Sequence, residues 1–244
     1  MEWEVQLAGE AFDLDQLVLA MAVTDPSINS TERGYMLRYS AFESLSMHQE
    51  VRDVATDLLK AFNGIVCLLL GSRQTISVAS VAKRDAEGGW DALITMHETV
   101  RFRDVLDTSV TQPDGKATHH HAADPAAQWL KLAVADPNVA KVFRLLAPPP
   151  ASWATLYKVY EVIVDDMKGP ACISQAAWAT ERAMGRFKHT ANSPKTIGDL
   201  SRHGTEPTEP PAAPMPLSEA RSMVLTLVHN WLRYKQQSST ENVA

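Results

Sequence analysis

Hydrophobic residues recur at helical spacing in two long stretches of the C-terminal half. In each stretch the apolar positions are separated by steps of three and one residues, which places them on one face of an α-helix. The two stripes comprise Trp153, Leu156, Tyr157, Tyr160, Ile163, Val164 and Met167, and then Ala220, Met223, Val224, Leu227, Val228, Trp231 and Leu232. Two amphipathic helices that each hide one face predict a helical bundle.

A third, narrower stripe lies between these two and predicts a middle helix. Its positions are Ile173, Ala176, Ala177, Thr180, Met184 and Phe187. The small side chains among them would permit close approach by a neighbour. Two shorter helices are expected upstream, where Asp124-Pro125 and Asp136-Pro137 each place proline after an N-cap acid. The bundle is therefore predicted over residues 124–237.

The first 110 residues mix strand and helix signals. The segments expected to form strands are WEVQLAG (3–9), GYMLRYS (34–40), TISVASVAKR (75–84) and residues 90–102. Residues 42–62 show helical spacing, and Asn63-Gly64 is expected to end that helix. The apolar run IVCLLL (65–70) then predicts a central strand. We expect an α+β protein with a small mixed sheet and helices over 1–110, followed by the bundle.

Two segments lack any periodicity and are predicted to be loops. Residues 108–123 are rich in turn formers and mark the expected domain boundary. Residues 204–215 are rich in proline and are expected to run extended over the surface before the last helix.

Composition and charge narrow the functional classes. The net charge of -6 argues against general affinity for nucleic acid, because that affinity depends on neutralising phosphates. The chain contains no apolar run of about 18 residues and no signal peptide, so a cytoplasmic location and no membrane partner are expected. Cys67 and Cys172 are isolated in the sequence, which suits a reducing compartment.

The stretch GRFKHTANSPKTIGDLSRHG, residues 185–204, gathers most of the candidate chemistry. Residues 176–204 hold five basic side chains against two acidic ones, a local basic island on an acidic protein. On one helix, Arg182 and His189 would share a face with Arg186, opposite the apolar stripe. Lys188 adds a further cation to this stretch. Such a basic strip indicates either solvent exposure or an interface.

The spacing of Arg182, six residues and His189 resembles the R-x4-6-H signature of the HEPN superfamily. That resemblance implies a helical bundle that dimerises and joins two such motifs in a metal-independent RNA-cleaving site. In the chemistry implied by the family, His189 would move the proton of the attacking 2'-hydroxyl and Arg182 would stabilise the pentacovalent phosphate. The residue after the arginine, usually polar in the family, is Ala183 here.

The C-terminal third also resembles a recurring arrangement in bacterial proteins of unassigned function. The matching features are TAN, a glycine, RHG and PMPLSEA, within residues 150–235. This resemblance draws attention to Asn192, Gly198, Arg202 and His203. A structural interpretation stays open, in which Asn192 caps its helix, Gly198 permits a turn and Arg202 pairs with an acid such as Glu219.

Two functional hypotheses follow from these observations. The first is a non-catalytic binding or assembly module that offers a basic, histidine-bearing surface to a protein partner or a small anion. The second is a HEPN-like ribonuclease that acts on RNA as a homodimer. The candidate residues are Arg182, His189, Arg202 and His203 for catalysis, and Arg186, Lys188, Asn192 and Gly198 for binding. No cofactor or metal is expected, because His119 to His121 cannot easily converge on one ion.

Overall fold

The fold is described from a computed structural model of the chain. The described residues are 3–84, 90–94, 108–111, 117–120, 124–147, 151–202, 204–205 and 209–241. By its internal contacts the chain divides into two units, Met1–Lys131 and Leu132–Ala244.

The first unit contains a five-stranded antiparallel sheet. Its strands are β1 (Trp3–Ala8), β2 (Ser27–Thr31), β3 (Gly34–Arg38), β4 (Ser77–Arg84) and β5 (Trp90–Ile94). They are arranged in the order β2-β3-β1-β4-β5, so the first strand is central. In β1, buried and half-buried positions alternate, and Val5 lies opposite Leu37 on one side and Val81 on the other.

Two helices pack on this sheet. Helix α1 (Ala11–Met21) contacts β2, and helix α2 (His48–Leu70) contacts β4. Their apolar faces supply much of the unit's core, including the fully buried residues Leu14, Leu17, Phe62 and Ile65. Together with the helical second unit described below, this confirms the predicted α+β class.

The expected end of α2 at Asn63-Gly64 is wrong, and IVCLLL is not a strand. The helix continues to Leu70 and ends at Gly71, which adopts a left-handed conformation with φ of 62°. Asn63 does not cap the helix, because its side chain donates to the carbonyl of Ile76 at 3.0 Å and accepts from the Ile76 amide at 2.7 Å. The buried amide thus attaches the middle of α2 to the chain just before β4.

The expected loop over 108–123 is also wrong in part. Strands β6 (Thr108–Thr111) and β7 (Ala117–His120) form an antiparallel ladder, in which His119 pairs with Ser109 and His120 with Thr108. His121 lies outside the described residues, as does the part of the expected strand after Ile94. The contact-based division of the chain falls at Lys131, which is later than the boundary expected from composition.

The second unit is helical. Its described helices are α4 (Pro137–Leu146), α5 (Trp153–Asp166), α6 (Pro170–Gln175), α7 (Glu181–Ala191), α8 (Pro194–Ile197) and α9 (Leu217–Glu241), while α3 (Ala126–Ala135) spans the division. Asp136 caps α4 by accepting from the amides of Asn138 and Val139, and Ser152 caps α5 by accepting from the Thr155 amide. The described residues among 204–215 form neither helix nor strand.

Helix α5 is the centre of this unit, where it packs against α4, α7 and α9. The predicted stripes of α5 and α9 face inward, and Trp153 and Trp231 are 4% and 0% exposed. The Trp153 ring stacks on Phe187 of α7 with 6.0 Å between centroids. Large aromatic side chains therefore fill the space between α5 and its neighbours.

The predicted single middle helix is wrong, because it is broken between α6 and α7. Ala176 and Ala177 are exposed, and Ala177 has a positive φ of 57° that interrupts the helical path. Thr180 begins α7 instead of packing, since its hydroxyl accepts a hydrogen bond from the Ala183 amide at 3.1 Å. The break sets the direction of α7 independently of α6.

A polar network connects α4, α5 and α9. The Asp166 carboxylate accepts hydrogen bonds from Trp231 Nε1 at 2.9 Å, Lys235 Nζ at 2.9 Å and Asn138 Nδ2 at 3.1 Å. Lys235 also lies 2.7 Å from Asp136. Burial alone would raise the pKa of Asp166, but these three donors lower it, and the two carboxylates raise the pKa of Lys235 despite its burial. The network is therefore charged at neutral pH.

Candidate functional site

The basic face of α7 is present, but most of it is engaged within the chain. Arg182 is exposed and makes no ion pair or hydrogen bond with the described residues. Arg186 and His189, one and two turns further along, instead hold the irregular segment that precedes α9. We call this segment, residues 209–216, the strap.

Arg186 makes two of the hydrogen bonds to the strap. Its Nε donates to the carbonyl of Ala213 at 2.8 Å, and its Nη2 donates to that of Pro214 at 2.9 Å. Its Nη1 lies 2.6 Å from Oε1 of Glu219, at the start of α9. Arg186, which the sequence predicts to bind a ligand, thus uses each of its three guanidinium nitrogens in a bond within its own chain.

Two neighbouring side chains of α7 complete the attachment. His189 Nε2 donates to the carbonyl of Glu209 at 2.8 Å, because a carbonyl can only accept. The buried Thr190 hydroxyl donates to the Arg186 carbonyl at 2.9 Å and accepts from the Met215 amide at 3.0 Å. Met215 is itself 3% exposed, so the strap is anchored by one apolar side chain as well as by polar contacts.

The residues after α7 follow the structural interpretation more closely than the functional one. Asn192 occupies the C-cap of α7, and Gly198 makes a turn with a positive φ of 62°. Arg202 pairs with an acid, but with Glu161 of α5 at 3.0 Å and not with Glu219. His203, a predicted catalytic residue, lies outside the described residues. The catalytic roles predicted for Arg182, Arg202 and His203 therefore stay predictions.

A groove of about 680 Å³ opens on the side of α5 that faces α7. Helix α5 supplies its wall, the turn after α5 supplies one end, and α7 supplies one side chain. The lining residues are Tyr157, Tyr160, Glu161, Val164, Asp165, Lys168, Gly169, Pro170 and Lys188. Of the predicted site residues, Lys188 lines this groove. Arg202 lies at the edge of the groove, where it forms an ion pair with the lining residue Glu161.

The turn after α5 explains why Lys168 reaches the groove. The helix ends when Lys168 adopts a left-handed conformation with φ of 63°, followed by Gly169 at 125°. The Gly169 amide then bonds back to the carbonyl of Val164 at 2.8 Å, which closes the last helical turn. Pro170 prevents continuation and begins α6.

Two lysines line the groove. Lys168 and Lys188 come from different elements, and neither forms an ion pair with a residue that the structure describes. Of the two acids in the lining, Glu161 is neutralised by Arg202, whereas Asp165 is exposed. The local balance is therefore three cations against two carboxylates, which favours a negatively charged ligand group.

The floor of the groove is aromatic and can donate hydrogen bonds. Tyr157 stacks on Phe187, and Tyr160 contacts the same ring edge-on. The two tyrosine hydroxyls make no hydrogen bond to any part of the chain that is described. Burial and the neighbouring Tyr157 raise the pKa of Tyr160, so its phenol stays protonated at neutral pH. A protonated phenol can donate to an anionic oxygen.

The described residues show no metal site and no membrane-spanning helix. Within the described residues no three His, Cys, Asp or Glu side chains lie close enough together to hold a metal ion. No described helix is both long enough and apolar enough to cross a membrane. Comparison of the chain with protein-family models, curated proteins and solved structures found no match.

Sequence reasoning missed the groove for a specific reason. Tyr157 and Tyr160 belong to the apolar stripe of α5, and that pattern assigns them only to the core. Lys168 sits in the triplet Lys168-Gly169-Pro170, whose composition indicates a helix end and nothing about a ligand. The nearest available signal was the pair of phenol hydroxyls in an otherwise apolar stripe.

Proposed function

We propose that the helical unit is a non-catalytic binding module, and that its ligand presents an anionic group to the groove between α5 and α7. The observation that carries this proposal is the pair Lys168 and Lys188, which line one groove from separate elements without an acidic partner among the described residues. The proposal keeps the cytoplasmic location and the absence of a cofactor that the sequence predicts.

The surroundings of the two lysines support anion binding. A charge placed about 4 Å from each ammonium gains about 4 kcal/mol per pair at the effective dielectric constant of a protein surface, before its own desolvation is subtracted. The Tyr157 and Tyr160 hydroxyls add neutral donors at the floor. Carboxylates and phosphates both accept such bonds, so a small anion and an acidic group on a protein partner share this chemistry.

The groove offers little for nucleophilic catalysis. The nine lining residues that the structure describes include no serine, cysteine or histidine. The exposed acid, Asp165, has no hydrogen bond to another described group that would orient it as a base. These features support a role in binding.

The proposal can be tested by calorimetric titration with inorganic phosphate, pyrophosphate and citrate. We expect Lys168→Ala and Lys188→Ala each to weaken binding about tenfold, the loss of one charge-assisted contact. Lys158→Ala is the matched control, because Lys158 is an exposed lysine of α5 outside the groove. Equal loss in all three variants, or binding that survives the double variant, would contradict the proposal.

A second proposal, metal-independent RNA cleavage by a dimer, has one observation in its favour. Arg182 is exposed, and His189 lies two turns along the same helix with its ring at the surface. His189 Nε2 is bonded to the strap, so cleavage would also require that bond to open. Incubation of a labelled RNA with the protein in EDTA tests this second proposal. RNA cleavage that is lost in Arg182→Ala and His189→Ala would support the proposal. A protein that is monomeric in solution and does not cleave the RNA would exclude it.

A further inference from the structure

The strap is bound to α7 by contacts that recognise a peptide backbone. Arg186 donates to two carbonyls of the strap, His189 donates to a third, and Thr190 accepts from one strap amide. These residues occupy positions i, i+3 and i+4 of α7, which brings them onto one face of the helix. Glu219 supplies the one carboxylate in the set. This face therefore binds the backbone of an irregular segment with a carboxylate beside it.

The strap is held mainly by exposed polar contacts. The side chains of Arg186 and Glu219 are 33% and 47% exposed, and ion pairs of that kind contribute little to stability. His189 and its partner Glu209 are exposed as well. Within the strap, Met215 is the buried residue, and Ala212 to Pro214 are open to solvent. A competing chain of similar chemistry can therefore reach the contacts of Arg186 and His189, which are open to solvent.

We propose that this face of α7, formed by Arg186, His189 and Thr190, is a docking site for an extended, acidic, proline-containing segment of a partner protein. The strap occupies the site as an internal ligand until such a segment displaces it. Prolines favour this exchange because they restrict the free chain, which lowers the entropy lost on docking. A carboxylate on the partner would take the place of Glu219 on Nη1 of Arg186.

The contacts favour a peptide over a nucleic acid. Arg186 and His189 donate to three backbone carbonyls of the strap. The Thr190 hydroxyl accepts from a backbone amide, and the phosphate backbone of a nucleic acid has no such donor. Arg182 extends the basic face by one turn, yet it makes no hydrogen bond or ion pair with the strap residues, all of which are described. General attraction of a polyanion would use Arg182 as readily as Arg186, and this difference can be measured.

The test uses the full chain and a fluorescent peptide with the strap's own sequence, EPPAAPMP. In the variant Pro210→Gly, Pro211→Gly, Pro214→Gly, the strap becomes more flexible while α7 is unchanged. Three such changes weaken docking of the strap by about ten- to a hundredfold. The peptide can bind only those molecules whose strap is undocked, so its apparent affinity rises with their fraction. We therefore expect the peptide to bind the variant at least about tenfold more tightly than the original chain. Fluorescence anisotropy measures both affinities.

Two further variants identify the contact residues. Adding Arg186→Ala to the triple-glycine chain should remove the gain, whereas adding Arg182→Ala should preserve it. Glu219→Gln provides an independent way to loosen the strap from the α9 side, and it should also increase peptide affinity. Thermal unfolding of each variant confirms that the helical unit is folded at the assay temperature.

Three results would overturn the inference. The first is equal peptide affinity for the original chain, the triple-glycine variant and Glu219→Gln. The second is equal loss with Arg182→Ala and Arg186→Ala, which would indicate general charge attraction. The third is tighter binding of an eight-nucleotide RNA with the same dependence on Arg186. None of these variants alters Lys168 or Lys188. A negative result for peptide docking therefore does not affect the proposal that the groove binds an anion, which the calorimetric titration tests separately.

Discussion

Arg202 pairs with Glu161 at 3.0 Å while its guanidinium lies 4.5 Å from the ring centroid of Tyr157. The pair joins the segment after α7 to α5 at the edge of the groove. Both side chains are more than a third exposed, so the ion pair contributes at most about 1 kcal/mol to folding. Its larger effect is on the charge of the groove, because it neutralises one of the two acids there.

Changing this pair should therefore alter anion binding more than stability. Arg202→Ala leaves Glu161 uncompensated and should weaken phosphate binding about three- to tenfold, with a stability loss of about 1 kcal/mol. Glu161→Gln should have the opposite effect on binding, since it removes a carboxylate from the lining. Calorimetry and urea unfolding measure the two quantities. A large stability loss without a change in affinity would assign Arg202 a purely structural role.

Truncation of either core tryptophan should destabilise the helical unit strongly. Trp153→Ala and Trp231→Ala each remove a buried ring, which typically costs about 3 to 5 kcal/mol. Trp231→Phe separates two contributions, because it keeps most of the buried ring but loses the hydrogen bond to Asp166. We expect it to cost less than the alanine change. Urea unfolding monitors each variant, and an unchanged midpoint would contradict the assigned helix faces.

The network of Asp166 and Lys235 predicts a specific dependence of stability on pH. The pKa of Asp166 is lowered below its ordinary value of 3.8, so its contribution is complete above that pH and is lost as the pH falls through the lower folded value. The pKa of Lys235 is raised above 10.5, so its contribution is lost as the pH rises through that higher folded value. Stability from this network should be constant across neutral pH.

Asp166→Asn tests the acid side of that profile. The amide retains an acceptor for Trp231 but loses the charge opposite Lys235, and we expect a loss of about 1 to 3 kcal/mol at pH 7. Because asparagine does not titrate, the variant should lose less stability than the original chain between pH 5 and strongly acidic conditions, roughly pH 2. Parallel acid-unfolding curves for the two proteins would show that Asp166 does not contribute in this range.

Thr190 is expected to slow hydrogen exchange at one amide of the strap, that of Met215. The Met215 amide donates to its hydroxyl in a buried setting, so Thr190→Val should leave that donor unsatisfied at a cost of about 1 to 3 kcal/mol. Thr190→Ser retains the hydroxyl and serves as the control. Hydrogen exchange at Met215 should be slow in the original chain and in the serine variant, and fast in the valine variant. Equal exchange in all three would argue against this bond.

The sequence supported predictions where a repeating pattern reported on one local geometry. The stripes that include Trp153 and Trp231 have the period of a helix, and both stretches are helices with those residues buried. The run IVCLLL failed because a short apolar run does not distinguish a strand from a buried helical segment. Asn63 was misread for a related reason: its partner Ile76 is 13 residues away, which no local pattern reveals.

The site was harder to predict than the fold because its side chains bond to backbone groups and to side chains that are distant in the sequence. Arg186 and His189 were recognised as a basic face, but carbonyl acceptors in an irregular segment leave no signature in a sequence. Glu161 as the partner of Arg202 depends on how α5 and the segment after α7 pack. Lys168 and Lys188 become neighbours of one groove only after the turn at Lys168 is formed.

Asp136 caps the start of α4 and also bonds Lys235, a residue 99 positions later in the chain. During synthesis from the N-terminus, α4 and α5 emerge before α9 has been made. Until Lys235 arrives, the nascent unit holds Asp136 and Asp166 without their shared cation, and the ring of Trp231 is also missing from its place against α5. The helical unit therefore cannot acquire its full stability while α9 is still in the ribosome, and its folding is tied to the completion of that helix.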